Sequence, residues 1–309
     1  MKINNYSIKK SIKYLKSNEC IGIPTETVYG LAGNAYSDEA IDKIYWLKKR
    51  PKRNPLIVHY FDINLLKKDC IINTHFVKLF KKFCPGPLTF ILKLKKNSLI
   101  SKKITNNKNS LAVRFPKHPL TRNLIKKLSF PLAAPSANIS HGISPVTKQD
   151  VMDEFGKKLK YILDGGRSRI GIESTIISLI GKPKIIRLGG IETKELEKVL
   201  KLSLIYKDKI NFNFPGQSKL HYSPGIPIEL NKKKPKKNSA YILINKRNVK
   251  NKNFFYLSKN NNLKEAAQNL YKLLRKIKKK KYKLIEIEKI PEKGFGLVIN
   301  DRLKRASYK

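Results

Sequence analysis

Apolar residues recur at helical spacing from residue 7 (Ile8, Ile12, Leu15), and a strand over 20–23 follows, stopped by Pro24. Ser37 caps a second helix, with Asp38 and Glu39 in its first turn; Ile41, Ile44 and Tyr45 point inward, and Pro51 bounds its end. A short apolar strand at 56–59, a helix around 76–83, a Pro-Gly-Pro break at 85–87 and a strand at 88–94 come next. SLAVRFP at 110–116 alternates, turning Leu111, Val113 and Phe115 to one sheet face and Ser110, Ala112 and Arg114 to the other. Beyond it the pattern predicts a helix carrying Leu120, Leu124 and Leu128, a strand at 131–134, the loop PSANISHGISP and a helix near 151–159. Short strands are expected at 161–164, 174–180 and 184–188. This alternation predicts an α/β domain over 1–205 built on a mixed, twisted sheet with helices.

Residues 206–239 lose the periodicity and carry Pro215-Gly216, Pro224-Gly225, Pro227 and a lysine run around Pro235, which reads as a linker. Residues 240–309 predict a small C-terminal α/β (Rossmann-like) domain. It has strands at 240–244, 254–257, 284–288 and 296–299, and a helix with Leu263, Ala266, Ala267, Leu270, Leu273, Leu274 and Ile277. No internal repeat is visible.

A length of 309 residues with 40% hydrophobic positions fits two domains and a sizeable core. The charge is lopsided: 67 Lys+Arg against 22 Asp+Glu give +45, a surface that attracts polyanions. Only 11 of those cations are arginines, so much of the charge is as well explained by a lysine-rich composition as by phosphate recognition, which favours the guanidinium fork. No apolar run approaches the roughly 18 residues needed to span a bilayer, so no membrane role is expected. The N-terminal MKINNYSIKKSIKYLKSN lacks the apolar core of a secretory signal, and Cys20, Cys70 and Cys84 are odd in number and unpaired in spacing. A soluble cytoplasmic protein without disulfides or a cysteine-held metal is the expectation.

Neither GxxxxGK[ST] nor GxGxxG occurs, which removes the two commonest phosphate-loop fingerprints. Seven polar segments fall instead at strand ends and loops: PTETVYGLAG (24–33), KKRPKRNPLIVH (48–59), PGPLT (85–89), SLAVRFPKHP (110–119), APSANIS (134–140), GIEST (171–175) and IIRLGG (185–190). Hydroxyls, amides and cations recur where backbone N–H groups are also free, an inventory suited to phosphate and carboxylate oxygens.

In this order and spacing the segments resemble the YrdC-like family of threonylcarbamoyl-AMP synthases. PGQSKLHYSP (215–224) and GFGLVINDRLKRAS (294–307) resemble its longer members with an extra C-terminal domain. The resemblance implies condensation of L-threonine, bicarbonate and ATP, with Mg²⁺ or Mn²⁺, into threonylcarbamoyl-AMP and pyrophosphate. A downstream tRNA threonylcarbamoyl-transferase complex would use the product. Carried over by motif, Lys48, Arg50, Ser136 and Asn138 form a polar catalytic tetrad. Arg50, Asn54, Ser110, Ser136, Ser144, Arg187 and the lid residue Tyr222 contact ATP, and Thr27, His59, Arg114, Ala134 and Ser174 contact threonine. The strand alternation places Ser110 beside Arg114, facing the nucleotide.

Each residue also has a plainer reading. Lys48 and Arg50 end a helix, where cations complement the dipole by about a few tenths of a kcal/mol. His59, Thr27, Ser110 and Ser174 could serve as ordinary hydrogen-bonding residues, and Glu173 as a structural acceptor or a metal-positioning group. Arg114 inside an apolar strand requires a partner or a ligand anion, because an unpaired buried guanidinium costs about several kcal/mol. The sequence departs from relatives at Leu220, where a basic residue often precedes the His-Tyr pair, with Lys219 one position earlier. Two rival readings stand beside the synthase, for which only weak tRNA binding is expected: a non-catalytic basic RNA-binding protein whose YrdC-like concavity holds double-stranded RNA or tRNA, and a carbamoyl-transfer enzyme acting on carbamoyl phosphate.

Overall fold

The computed structural model describes residues 5–206, 220–247 and 251–308. Of the segments singled out above, PGQSK at 215–219, Lys219 included, lies outside the described residues.

Among the described residues a mixed ten-stranded sheet occupies the first two thirds of the chain. Its order runs Ile21–Ile23, Gly30–Asn34, Leu132–Ala133, Ile57–His59, Ser110–Arg114, Leu88–Leu94, Thr175–Ser178, Lys184–Arg187 and Ile205–Tyr206, with Cys70–Ile71 pairing off Leu88–Leu94. Ser110–Arg114 sits near its middle, parallel to Ile57–His59 and antiparallel to Leu88–Leu94, so His59, Arg114 and Thr89 fall in one row. Ala112, on the face opposite Leu111 and Val113, is also buried, in a small cluster with Ile57, Ile91 and Ile176 from the neighbouring strands.

A second, all-parallel sheet runs Ile228–Glu229, Ile285–Ile287, Ala240–Asn245 and Phe254–Ser258, packed by helices Leu263–Lys279 and Phe295–Ser307. The apolar core continues without a break from the first sheet, through Tyr222 and Tyr271, into this unit.

Three local expectations change. The span 296–299 is the start of the helix Phe295–Ser307, because the buried positions Val298, Ile299, Arg302, Leu303 and Ala306 follow helical spacing that a short apolar run conceals. Residues 161–164 make only the single bridge Gly22–Ile162: Ile162 packs where a side chain on residue 22 would stand, and Asp164-Gly165-Gly166 then turns the chain away. Within 206–239, Ile228–Glu229 joins the second sheet, a strand too short to show periodicity. Gly30–Asn34, Ile63–Asp69 and Thr193–Leu200 are elements the pattern did not signal.

Leaving strand Lys184–Arg187, the chain crosses tightly over Glu173–Thr175, and a Cβ on Gly189 would lie 2.4 Å from the Ser174 carbonyl carbon and 2.5 Å from Thr175 N. Backbone cannot yield as a flexible side chain can. Gly189→Ala is therefore expected to cost about 3 kcal/mol or more, at the upper end of overpacking. Gly181→Ala, at φ +68 with no atom within 4 Å, should cost only the left-handed conformation, about 1–2 kcal/mol. Urea denaturation checks the pair; equal midpoints would show that the crossing is not a constraint.

Candidate active site

A cleft with about 580 Å³ of empty space, solvent mouth included, opens where the central strands end. Its walls include Thr25, Arg50, His59, Arg114, Ala134, Ser136, Glu173, Ser174, Arg187 and His221.

The sheet register explains one wall. His59 and Arg114 are directly paired across parallel strands, and Arg114 also pairs with Thr89, whose Oγ1 lies 2.7 Å from Ser174 Oγ. Arg114 is 4% exposed, and its Nη2 donates to Glu26 Oε1 at 2.7 Å, while Glu26 Oε2 accepts from Lys117 N at 2.9 Å. One prong of the guanidinium is thus neutralised, and Nε has no hydrogen-bond partner in the protein. His59 is 2% exposed with Nδ1 likewise unpartnered. Burial first, and the neighbouring Arg114 charge second, hold its pKa well below the ordinary histidine value. The ring is neutral at physiological pH.

The opposite wall is built by loops. Arg50 Nε and Nη2 donate to Asn54 O (3.0 Å), Asn54 Oδ1 (2.6 Å) and Pro55 O (2.9 Å); burial pulls its pKa down to about 10, which leaves it charged. Arg187 donates to Ser174 O through Nε (3.2 Å) and Nη2 (2.9 Å). Among the described residues, neither arginine has a carboxylate within salt-bridge distance, so both keep net positive charge at the cleft. Lys48 stands behind. It is 1% exposed, and Nζ donates to Ser136 O (2.6 Å) and Asn138 O (2.5 Å), clamping the SAN loop to the helix Asp38–Lys48; burial, then Arg50, pushes its pKa well down.

Of the residues expected from the sequence, Arg50, His59, Arg114, Ala134, Ser136, Ser174 and Arg187 come together as cleft lining. Thr27, Lys48, Asn54, Asn138, Ser144 and Tyr222 stand outside that lining and hold it: Thr27 meets the lining residue Thr25 (Oγ1 to Oγ1 2.8 Å), and Ser144 Oγ donates to Glu173 Oε1 at 2.6 Å. Ser110 is not brought in. It shares a strand face with Arg114 but lies four residues away, roughly 13 Å along an extended chain, opposite Lys93.

Sequence reasoning missed Thr25, Glu26, His221 and two residues from the C-terminal unit. Glu173, buried in the cleft wall, accepts from Tyr271 Oη at 2.9 and 2.8 Å and from Arg302 Nε at 2.9 Å. Arg302 also donates to Leu188 O at 2.6 Å and to Asp301, and its guanidinium lies 4.8 Å from the Tyr222 ring centroid. Tyr222 is fully buried at φ +64 between Arg302, Tyr271 and His221, which carries the His221 ring to the cleft. PTETVYG and the His-Tyr pair contained part of this signal. The contacts to Glu173 span 98 and 129 residues and leave no local pattern.

With the cleft described, two family models match. One, described as "Telomere recombination" and covering the Sua5, YciO and YrdC proteins, matches residues 13–189; the other, described as "Threonylcarbamoyl-AMP synthase, C-terminal domain", matches 191–307. The chain belongs to the Sua5/YrdC family, in its long form. Among the relatives of this Sua5/YrdC chain, the threonylcarbamoyl-AMP synthase of Pyrococcus abyssi is 33% identical across 99% of this chain and 95% of its own. That of Bacillus subtilis is 34% identical across 98% and 94%. The crystal structure of P. abyssi Sua5 complexed with L-threonine superposes with a TM-score of 0.91 at 32% identity, covering 99% of this chain and 96% of that one.

Neutral His59 has a consequence for pH. Its folded-state pKa lies below the unfolded value, so the unfolded chain takes up a proton first, and stability falls as pH drops below about 6.5. His59→Gln should remove that share of the acid sensitivity, and the His59 ring resonances should not move as pH is lowered through about 6.5. A His59 midpoint at or above that value would contradict the geometry.

Proposed function

We propose that the chain condenses L-threonine, bicarbonate and ATP into threonylcarbamoyl-AMP and pyrophosphate, for use by a downstream complex that modifies tRNA. The observation that carries this reading is one cleft holding two kinds of cation. Arg114, half-occupied by Glu26 and flanked by a neutral histidine, suits a small carboxylate; Arg50 and Arg187, whose donors rest only on carbonyl, amide and hydroxyl oxygens, suit phosphates.

In this reading the threonine carboxylate lies on Arg114, and neutral His59 adds no positive charge beside the amine. That amine adds to the bicarbonate-derived carbon with loss of water, giving a carbamate. A carbamate oxygen then attacks the α-phosphorus of ATP, and pyrophosphate leaves with the electrons of the broken P–O bond. Arg50 and Arg187 are placed to balance charge growing on the phosphates, where a preorganised cation does most for the barrier. Lys48 and Asn138 act by shaping the loop that presents Ser136. His221, carried by the buried Tyr222, covers the cleft and keeps water from the carbamate.

The Mg²⁺ or Mn²⁺ ion belongs to the ATP complex. Such an ion would be carried on the triphosphate, largely with its own waters. The net charge of +45 supports a weak, salt-sensitive contact with tRNA that the chemistry does not require. No described helix is long and apolar enough to cross a membrane, and a cytoplasmic setting suits a tRNA-modifying substrate.

Purified protein given Mg²⁺, ATP, L-threonine and bicarbonate should release pyrophosphate in step with threonylcarbamoyl-AMP. Release that continues when threonine or bicarbonate is omitted would sink the assignment. Arg114→Lys loses the fork geometry and should weaken threonine binding about tenfold to a hundredfold while leaving ATP binding nearly intact, as calorimetric titration can show. Unchanged threonine affinity in a folded variant would remove Arg114 from the role.

A further inference from the structure

Glu173 poses an electrostatic problem. It is the one carboxylate among the residues lining the cleft, on a wall shared with Arg187, and the proposed ligand is a polyanion. Burial works to raise its pKa; the Arg302 and Arg187 charges and the Ser144 hydroxyl outweigh that and leave it below the usual carboxylate range. It is therefore an anion.

Its hydrogen bonds show where that charge is spent. Ser144 and Tyr271 supply neutral donors, and Arg302 supplies the cation in salt-bridge contact with it, from the far side of the wall. Arg187, though close enough to act on Glu173 through space, has its donors on Ser174 O and Oγ. Arg302 is held rigidly against Glu173, because all three of its guanidinium nitrogens are used, on Glu173, Asp301 and Leu188 O, and Leu188 adjoins Arg187. Asp301 is in turn held by Arg305 Nε at 3.0 Å and by Tyr206 Oη at 3.2 Å.

We propose that Arg302, a residue of the C-terminal unit, is a positioning residue for ATP: by taking the charge of Glu173 from behind, it leaves Arg187 and Arg50 free for the phosphates. The inference rests on the ATP-binding reading above. It gives the C-terminal unit a defined role in nucleotide binding, since without Arg302 the nearest remaining cation for Glu173 is a phosphate-side arginine. Removing one partner of a buried pair leaves the other charge uncompensated, and that charge would draw Arg187 toward itself.

The test is calorimetric titration of full-length wild-type, Arg302→Met, Glu173→Gln and the double variant with Mg·ATP and, separately, L-threonine. Circular dichroism establishes folding. Arg302→Met should weaken ATP binding about tenfold or more and change threonine binding less than about twofold. The double variant should return ATP affinity to within about threefold of wild type, because the charge that captured Arg187 is gone. A merely structural or lid-seating role for Arg302 through the Tyr222 ring would not be rescued by Glu173→Gln, and absence of rescue overturns the proposal. Unchanged ATP affinity in folded Arg302→Met overturns it too. Should Arg302→Met fail to fold, Glu173→Gln alone decides: ATP affinity equal to or above wild type supports the proposal, and a tenfold loss shows that Glu173 itself serves the nucleotide. Wild-type protein that binds no ATP would remove the functional reading instead, an outcome distinct from all of these.

Discussion

Carboxylates buried beside arginines at the rim of a cleft must be matched one for one, or the cleft loses the positive potential that an anionic substrate needs. Glu26 and Glu173 are both buried, and each is matched by a single guanidinium, Arg114 and Arg302. Much of the architecture serves that matching. The central strands bring Arg114 to the end of the sheet within reach of the PTETVYG loop, and the C-terminal helix Phe295–Ser307 reaches back across the chain to deliver Arg302. The arginines left over, Arg50 and Arg187, hold carbonyl, amide and hydroxyl oxygens, weak partners that a phosphate can outcompete.

This arrangement makes the two units one functional body. Apolar contacts run unbroken between them, but the polar contacts carry specificity: Glu173 from the first, Tyr271 and Arg302 from the second, and Tyr222 from the connecting segment meet in one buried cluster. The same cluster seats Tyr222 and so presents His221 to the cleft. In the proposed reading cover and charge balance are coupled, because Arg302 both bonds Glu173 and lies against the Tyr222 ring.

The parts legible in the sequence were those written locally. Alternation at 110–116 gave the face of Arg114, the order of seven short motifs gave the family, and the cap at Ser37 gave the start of the helix Asp38–Lys48, whose last turn was expected to include Arg50 but is ended by Lys49 in the left-handed region. What escaped was non-local or sat where two patterns overlap. The run GLVI reads as strand until Arg302, Leu303 and Ala306 are counted with it, and the partner of Arg114 lies 88 residues upstream in a motif read only for its hydroxyls. For Ser110 the shared strand face fixes direction, and the register adds what alternation leaves open, its distance of four residues from Arg114, opposite Lys93.

The most direct test of this charge arrangement is a crystal structure of the protein with L-threonine and a non-hydrolysable Mg·ATP analogue. The threonine carboxylate is expected on the free donors of Arg114, the phosphates on Arg50 and Arg187, and Glu173 still bonded to Arg302. Phosphates bound elsewhere, or Glu173 turned onto Arg187 with nucleotide in place, would contradict it.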